Sequence, residues 1–119
     1  MKSLKDKFIN AFKGILLGIQ DTSLLLQIFI ALIAIIVGLI FKLNVIEWCI
    51  LLLCCLIIIS LEFVNTVIEK IMDFVHPEYH EKIKDIKDMG AGFVLLASIL
   101  VLLIGIILFG SKIIDLFIM

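Results

Sequence analysis

The stretch that decides the fold runs from Trp48 to Asp73. Trp48–Leu61 carries no charged residue, and Glu62-Phe63-Val64-Asn65-Thr66-Val67-Ile68-Glu69-Lys70-Ile71-Met72-Asp73 follows it without a Gly or Pro. A carboxylate at the end of a membrane-length apolar run is expensive to desolvate. An ionisable residue in a membrane helix therefore points to function. Glu62, Asn65, Thr66, Glu69 and Asp73 are separated by 3, 1, 3 and 4 residues, which sets them on one helix face. Val64, Val67, Ile68 and Ile71 make the opposite face. A solvated surface accounts for Asp73 and fairly for Glu69. It accounts poorly for Glu62 and Asn65, which lie deeper.

Composition sets the solvent. The chain has 119 residues, 64% of them hydrophobic, with a mean hydropathy of +1.32. That much apolar surface implies an all-α integral membrane protein. There is one Pro, and no linker, low-complexity tract or internal repeat, so residues 1–119 read as a single domain. The N-terminus does not read as a cleaved signal, because the first long apolar run starts only near Ser23 and lacks a small-residue cleavage site. The three cysteines, Cys49, Cys54 and Cys55, all lie in the second apolar run with no His at ligand spacing. They read as packing residues, not as a disulfide framework or zinc site.

Working outward, residues 4–20 read as an amphipathic surface helix. Leu4, Phe8, Phe12, Ile15 and Ile19 recur at helical spacing, and Lys2, Lys5, Lys7 and Lys13 add positive charge. Residues 23–41 form a first span, Lys42-Leu43-Asn44 a turn, and residues 45–74 a second span with a cytosolic extension that His76-Pro77 breaks. Residues 75–88 are expected as a charged cytosolic loop or short helix, and 89–109 as a third span ended by Gly110-Ser111-Lys112. Of the 10 lysines, Lys2, Lys5, Lys7, Lys13, Lys70, Lys82, Lys84 and Lys87 lie in the N-terminal arm or the second loop. The positive-inside rule then puts the N-terminus and second loop in the cytoplasm and the C-terminus outside. With entry near Ile46, Glu62 lies about 24 Å along the helix, just inside the cytoplasmic edge of a core about 30 Å thick. Glu69 is about 10 Å further, at the cytosolic interface.

Other groups allow two readings each. Asp21 in Asp21-Thr22-Ser23 is a natural helix N-cap. It is also expected at the same interface as Glu69, where two carboxylates could hold Mg²⁺ with nucleotide phosphates. Lys87 and Asp88 precede Met89-Gly90-Ala91-Gly92. Lys87 is either a positive-inside anchor or a phosphate ligand, and the glycines permit close approach of a helix or a ligand. No P-loop, GxGxxG or GxSxG pattern occurs. His76 and His80 flank the Pro77 turn and read as turn residues before they read as metal ligands.

The blocks Glu62-x-x-Asn65-Thr66-x-Ile68-Glu69-x-x-x-Asp73, Tyr79-His80 and Lys87-Asp88-Met89-Gly90-Ala91-Gly92 resemble the prokaryotic diacylglycerol kinase family. That family includes the small undecaprenol kinases of Gram-positive bacteria, and the resemblance covers nearly the whole chain. It implies a homotrimeric bacterial inner-membrane kinase with composite sites between protomers, using ATP and Mg²⁺. By position, Glu62 would be the catalytic base, and Asp21 and Glu69 would hold the metal. Glu69, Asp73, Glu78, His80, Lys87 and Asp88 would lie around the nucleotide, with Asn65, Thr66 and Asp73 organising the site. The family usually has Glu at the first acid, often in a Glu-x-Asn-x-basic stretch; here Asp21 stands there with no basic residue after it. The chain has no arginine, so phosphate contacts fall to Lys or backbone.

The resemblance implies a lipid alcohol as acceptor, undecaprenol in first place and diacylglycerol as the alternative, with no nucleic acid. A non-enzymatic proton or cation relay is the rival from another class, since intramembrane carboxylates also build relays. A purely structural membrane protein leaves the one-faced polar stripe unexplained. Three helices are not expected to shield that face alone, which motivates self-association.

Overall fold

Caps and breakers divide the described residues into four helices. The computed structural model describes residues 3–118. Its elements are α1 (Leu4–Ile19), α2 (Thr22–Ile40), α3 (Val45–Val75) and α4 (Glu81–Ile118). Lys2, counted above with the N-terminal lysines, lies outside the described residues. Ser3 caps α1 by accepting from the Asp6 N–H at 3.2 Å. Asn44 and Glu47 form a reciprocal capping box on α3, with both bonds at 2.9 Å. Lys42 takes the left-handed φ of 53° that reverses the chain between α2 and α3. Pro77 follows α3 by two residues, as the sequence leads one to expect.

The fourth helix differs from expectation at both ends. It begins at Glu81, where a loop or short helix separate from the third span was expected. The segment before Met89 is charged, but it holds no helix breaker. His80 Nδ1 accepts from the Lys82 N–H at 3.1 Å, and Lys84 pairs with Asp88 one turn on at 2.7 Å. Nor does α4 end at Gly110-Ser111-Lys112; it continues to Ile118. An interior Gly costs a helix only about 1 kcal/mol. Broken backbone hydrogen bonds in an apolar medium cost more. Lys112 also finds a partner there, the Glu47 carboxylate at 2.8 Å, which ties α4 to the start of α3.

Helices α2, α3 and α4 are each long and apolar enough to cross a membrane. They form a layer, not a closed bundle. α3 lies in the middle and packs on both α2 and α4, and α1 touches α2 and α3. The radius of gyration is 18.1 Å, with extents of 59 × 41 × 19 Å. A compact chain of this length would have about 13.5 Å. A small apolar cluster, Leu43, Leu51 and Leu108 with Phe41, Trp48 and Phe109 against it, closes one end. Elsewhere large apolar side chains face outward, as a lipid-solvated layer requires. At about 1.5 Å per residue, the 31 residues of α3 exceed a 30 Å core by roughly 16 Å. A core counted from Val45 would end before Glu69 and Asp73.

Candidate functional site

The site begins where the α1–α2 turn meets α3. Gly18 makes that meeting possible, since a Cβ there would collide with the Phe63 ring. Phe63 adjoins Glu62, so the close approach of α1 brings Asp21 to the polar stripe. Asp21 caps α2 by accepting from the Leu24 N–H at 3.1 Å. The same oxygen, Oδ2, accepts from the Thr66 hydroxyl at 3.1 Å. The cap reading of Asp21 therefore holds. Both bonds fall on Oδ2, and neither uses Oδ1.

Three members of the stripe are buried: Glu62 and Asn65 at 7% exposure and Thr66 at 3%. Within one chain four helices cover these three side chains, while Glu69 stays half-buried and the Asp73 side chain is 64% exposed. α1, α2 and α4 all pack on α3 and cover that face. Glu62 lies within electrostatic reach of the Asp21 and Glu69 carboxylates. Asn65 Nδ2 donates to Glu69 Oε1 across a long 3.4 Å. The amide is oriented by that contact, because the flipped form would set two acceptor oxygens together. Asn65 Oδ1 is buried without a hydrogen-bond partner among the described residues. It faces α4 at Gly90.

The remaining sequence-predicted residues form a second, exposed tier. Lys87 is ion-paired with Asp73, which bridges α4 to the end of α3. Asp88 is drawn to Lys84 along its own helix. That carboxylate's hydrogen bond, with its charge, holds the Lys84 ammonium above its usual range. Glu78 and His80 lie in the α3–α4 link. His76 Nδ1 is 2.9 Å from the Glu78 carbonyl oxygen, and the His76 and His80 rings meet edge to face at 5.4 Å. The structure thus brings Asp21, Glu62, Asn65, Thr66 and Glu69 together, and separately Asp73 with Lys87. It brings neither Glu78, His80 nor Asp88 into a hydrogen bond with the buried tier. Sequence reading missed Gly18 and Phe63, and it left open which glycine of Gly90-Ala91-Gly92 matters.

The donor set fits a hard cation of the magnesium type. Asp21 and Glu69 offer carboxylate oxygens, with Asp21 Oδ1 and Glu69 Oε2 outside the hydrogen bonds described. Among the described residues, no three acidic, His or Cys side chains close into a metal cluster. A magnesium ion at these two carboxylates would take its remaining ligands from substrate phosphates or water.

A helical arm, a layer of three membrane-length helices and a buried carboxylate on the middle one define a membrane protein with an enzyme-like site. The chain belongs to the prokaryotic diacylglycerol kinase family, which residues 9–109 match. A curated relative, undecaprenol kinase of Bacillus subtilis (strain 168), is 35% identical over 75 residues. That match covers 63% of this chain and 61% of the relative, so the chain spans about three fifths of the relative's length.

Proposed function

We propose that this protein is a lipid alcohol kinase that transfers the γ-phosphate of ATP to undecaprenol. The observation that carries the reading is Glu62, a carboxylate buried on the middle membrane-length helix within electrostatic reach of Asp21 and Glu69. Family membership favours a kinase over a cation relay, and the undecaprenol kinase relative favours that lipid over diacylglycerol.

In this reading the lipid hydroxyl reaches Glu62 at headgroup depth. Its oxygen attacks the γ-phosphorus, Glu62 Oε takes the proton, and ADP leaves. Asp21 and Glu69 would hold magnesium, which would neutralise charge on the phosphates. Thr66 and the Leu24 N–H fix the Asp21 carboxylate, and Asn65 fixes Glu69. Lys87 exchanges Asp73 for a phosphate, while Glu78, His80 and Asp88 border the nucleotide. Phosphoryl transfer depends mainly on positioning and electrostatics, so so few groups suffice. The N-terminus and the α3–α4 link face the cytoplasm of a bacterial inner membrane, α1 lies along its surface, and the protein assembles as a homotrimer with composite sites.

The test is transfer of labelled γ-phosphate to undecaprenol and diacylglycerol competing in one micellar assay. Label on undecaprenol is expected, and Glu62→Gln should lower turnover by about 10²–10⁴-fold, the usual worth of a general base. Label on neither lipid from folded protein would sink the assignment. Label mainly on diacylglycerol would keep the mechanism and change the substrate.

A further inference from the structure

Gly90 and Gly92 stand two residues apart at the start of the membrane part of α4, and their surroundings differ. A Cβ at Gly92 meets nothing within 4 Å. A Cβ at Gly90 would run into Asn65 Oδ1, with Asn65 Cγ only 3.5 Å away. Asn65 is 7% exposed, and Oδ1 is the buried side-chain oxygen without a hydrogen-bond partner among the described residues. We infer that Gly90 is a positioning residue: its bare Cα seats the Asn65 carboxamide, which holds the Glu69 carboxylate beside Glu62. The activity part of this inference rests on the kinase reading; the seat itself rests on geometry alone.

The chemistry of the contact explains why the amide oxygen faces α4. In glycine a hydrogen occupies the Cβ direction, and here it points at Oδ1. Such Cα–H···O contacts recur at helix interfaces and give an acceptor partial satisfaction. A methyl group in that direction removes the contact and overlaps the oxygen. Buried as it is, the carboxamide retreats only by swinging on its own side-chain torsions. Its bond to Glu69, already 3.4 Å long, then breaks. Glu69 then loses the tether that holds it in place. Misplacing a reacting group by about 1 Å can cost on the order of 100-fold in rate.

Gly92 supplies the control. Alanine forms helices better than glycine, so at an idle helical position the change to alanine is harmless or stabilising. The experiment uses the full chain in micelles with four variants: Gly92→Ala, Gly90→Ala, Asn65→Ala, and Gly90→Ala with Asn65→Ala. Thermal unfolding and phosphate transfer to undecaprenol are measured on each, the latter across a magnesium series. Gly92→Ala should match the wild type. Gly90→Ala should lose about 10–100-fold in kcat and need more magnesium, with little change in the KM for lipid. In the Asn65→Ala background, Gly90→Ala should add no further loss, in rate or in unfolding midpoint, because the group it displaces is gone.

Unchanged kcat in Gly90→Ala overturns the inference. So does a loss that persists in full without the Asn65 amide. Should Gly90→Ala fail to fold, recovery of folding in the double variant supports the seat, and failure to recover overturns it. A wild type that phosphorylates neither lipid ends the kinase reading instead. The unfolding midpoints then decide the seat by themselves: coupled values support it and additive values overturn it.

Discussion

Replacing Asp21 by Ala and by Asn separates what this side chain does for the fold from what it is proposed to do for magnesium. In the structure Oδ2 takes two hydrogen bonds, one from the Leu24 N–H and one from the Thr66 hydroxyl, both at 3.1 Å. Losing an N-cap costs about 1 kcal/mol. Losing a hydrogen bond to a charged acceptor costs about 1.5 kcal/mol. Asp21→Ala removes both and should destabilise the protein by roughly 2.5 kcal/mol. Asp21→Asn keeps an oxygen of the same reach. It still caps α2 and still accepts from Thr66, now as a neutral partner, so its loss should stay under about 1 kcal/mol. Thr66→Val breaks only the interhelical bond and should fall between the two.

Magnesium dependence is expected to rank these variants differently. Asn supplies a neutral ligand where Asp supplies a charged one. Asp21→Asn should therefore raise the magnesium concentration for half-maximal transfer by at least about tenfold, equivalent to about 1.4 kcal/mol. The assay pairs thermal unfolding in micelles with a magnesium titration of phosphate transfer. If Asp21→Asn is stable and titrates like the wild type, Asp21 is a cap and a bridge but no ligand. If Asp21→Ala is no less stable than Asp21→Asn, the two hydrogen bonds do not carry the weight assigned to them here.

Two further outcomes follow from the rest of the molecule. Lys112→Met should lower the thermal unfolding midpoint while leaving kcat alone; Glu47, its partner, sits at the opposite end of α3 from Glu69, and a drop in kcat at full folding would contradict that separation. The Asp88 carboxylate holds the Lys84 ammonium above its ordinary 10.5. A raised value means that the pair's support for the first turns of α4 is complete below the ordinary lysine range and is lost as pH rises through the Lys84 titration. Asp88→Asn should bring the Lys84 midpoint down in an NMR titration, and an unmoved midpoint would show the pair to be absent in solution.

Much of the fold was legible because lipid demands uninterrupted apolar helices and water demands caps. Asp21 announces the start of α2, the Lys42-Leu43-Asn44 turn the start of α3, and Pro77 the end of α3. The extent of α4 was hidden for the same reason. Charge in Glu81–Asp88 reports depth and not backbone conformation, so a solvated helical extension reads like a loop. Gly110 ends helices in water, where freed carbonyls find new partners, but not where the alternative is hydrocarbon. The stripe from Glu62 to Asp73 was legible from spacing alone. Its partners were not, since Thr66 and Asp21 lie 45 residues apart and their meeting depends on how closely α1 approaches α3. That approach is set at Gly18, as the seat of Asn65 is set at Gly90, and a glycine carries no side chain by which sequence could announce its neighbour.

The burial of Glu62 changes what self-association is needed for. A single chain already covers Glu62, Asn65 and Thr66, so exclusion of water from Glu62 does not require a partner. Leu52, Leu53, Leu56 and Ile57 on the outer side of α3 are 46–60% exposed and apolar. In lipid such a surface gains nothing from hydrophobic burial against a second copy, because hydrocarbon solvates it equally well. Openness instead increases toward the C-terminal end of α3, from half-buried Glu69 to Asp73, whose side chain is 64% exposed. In the proposed trimer, a neighbour's contribution to catalysis therefore belongs at the Glu69–Asp73 level, around the nucleotide, and not at the Glu62 level, around the lipid hydroxyl. Mixed assemblies separate these two places. Co-expressed Glu62→Gln and Lys87→Ala chains should complement each other if one protomer's base works with its neighbour's lysine, and should stay inactive if each chain uses its own.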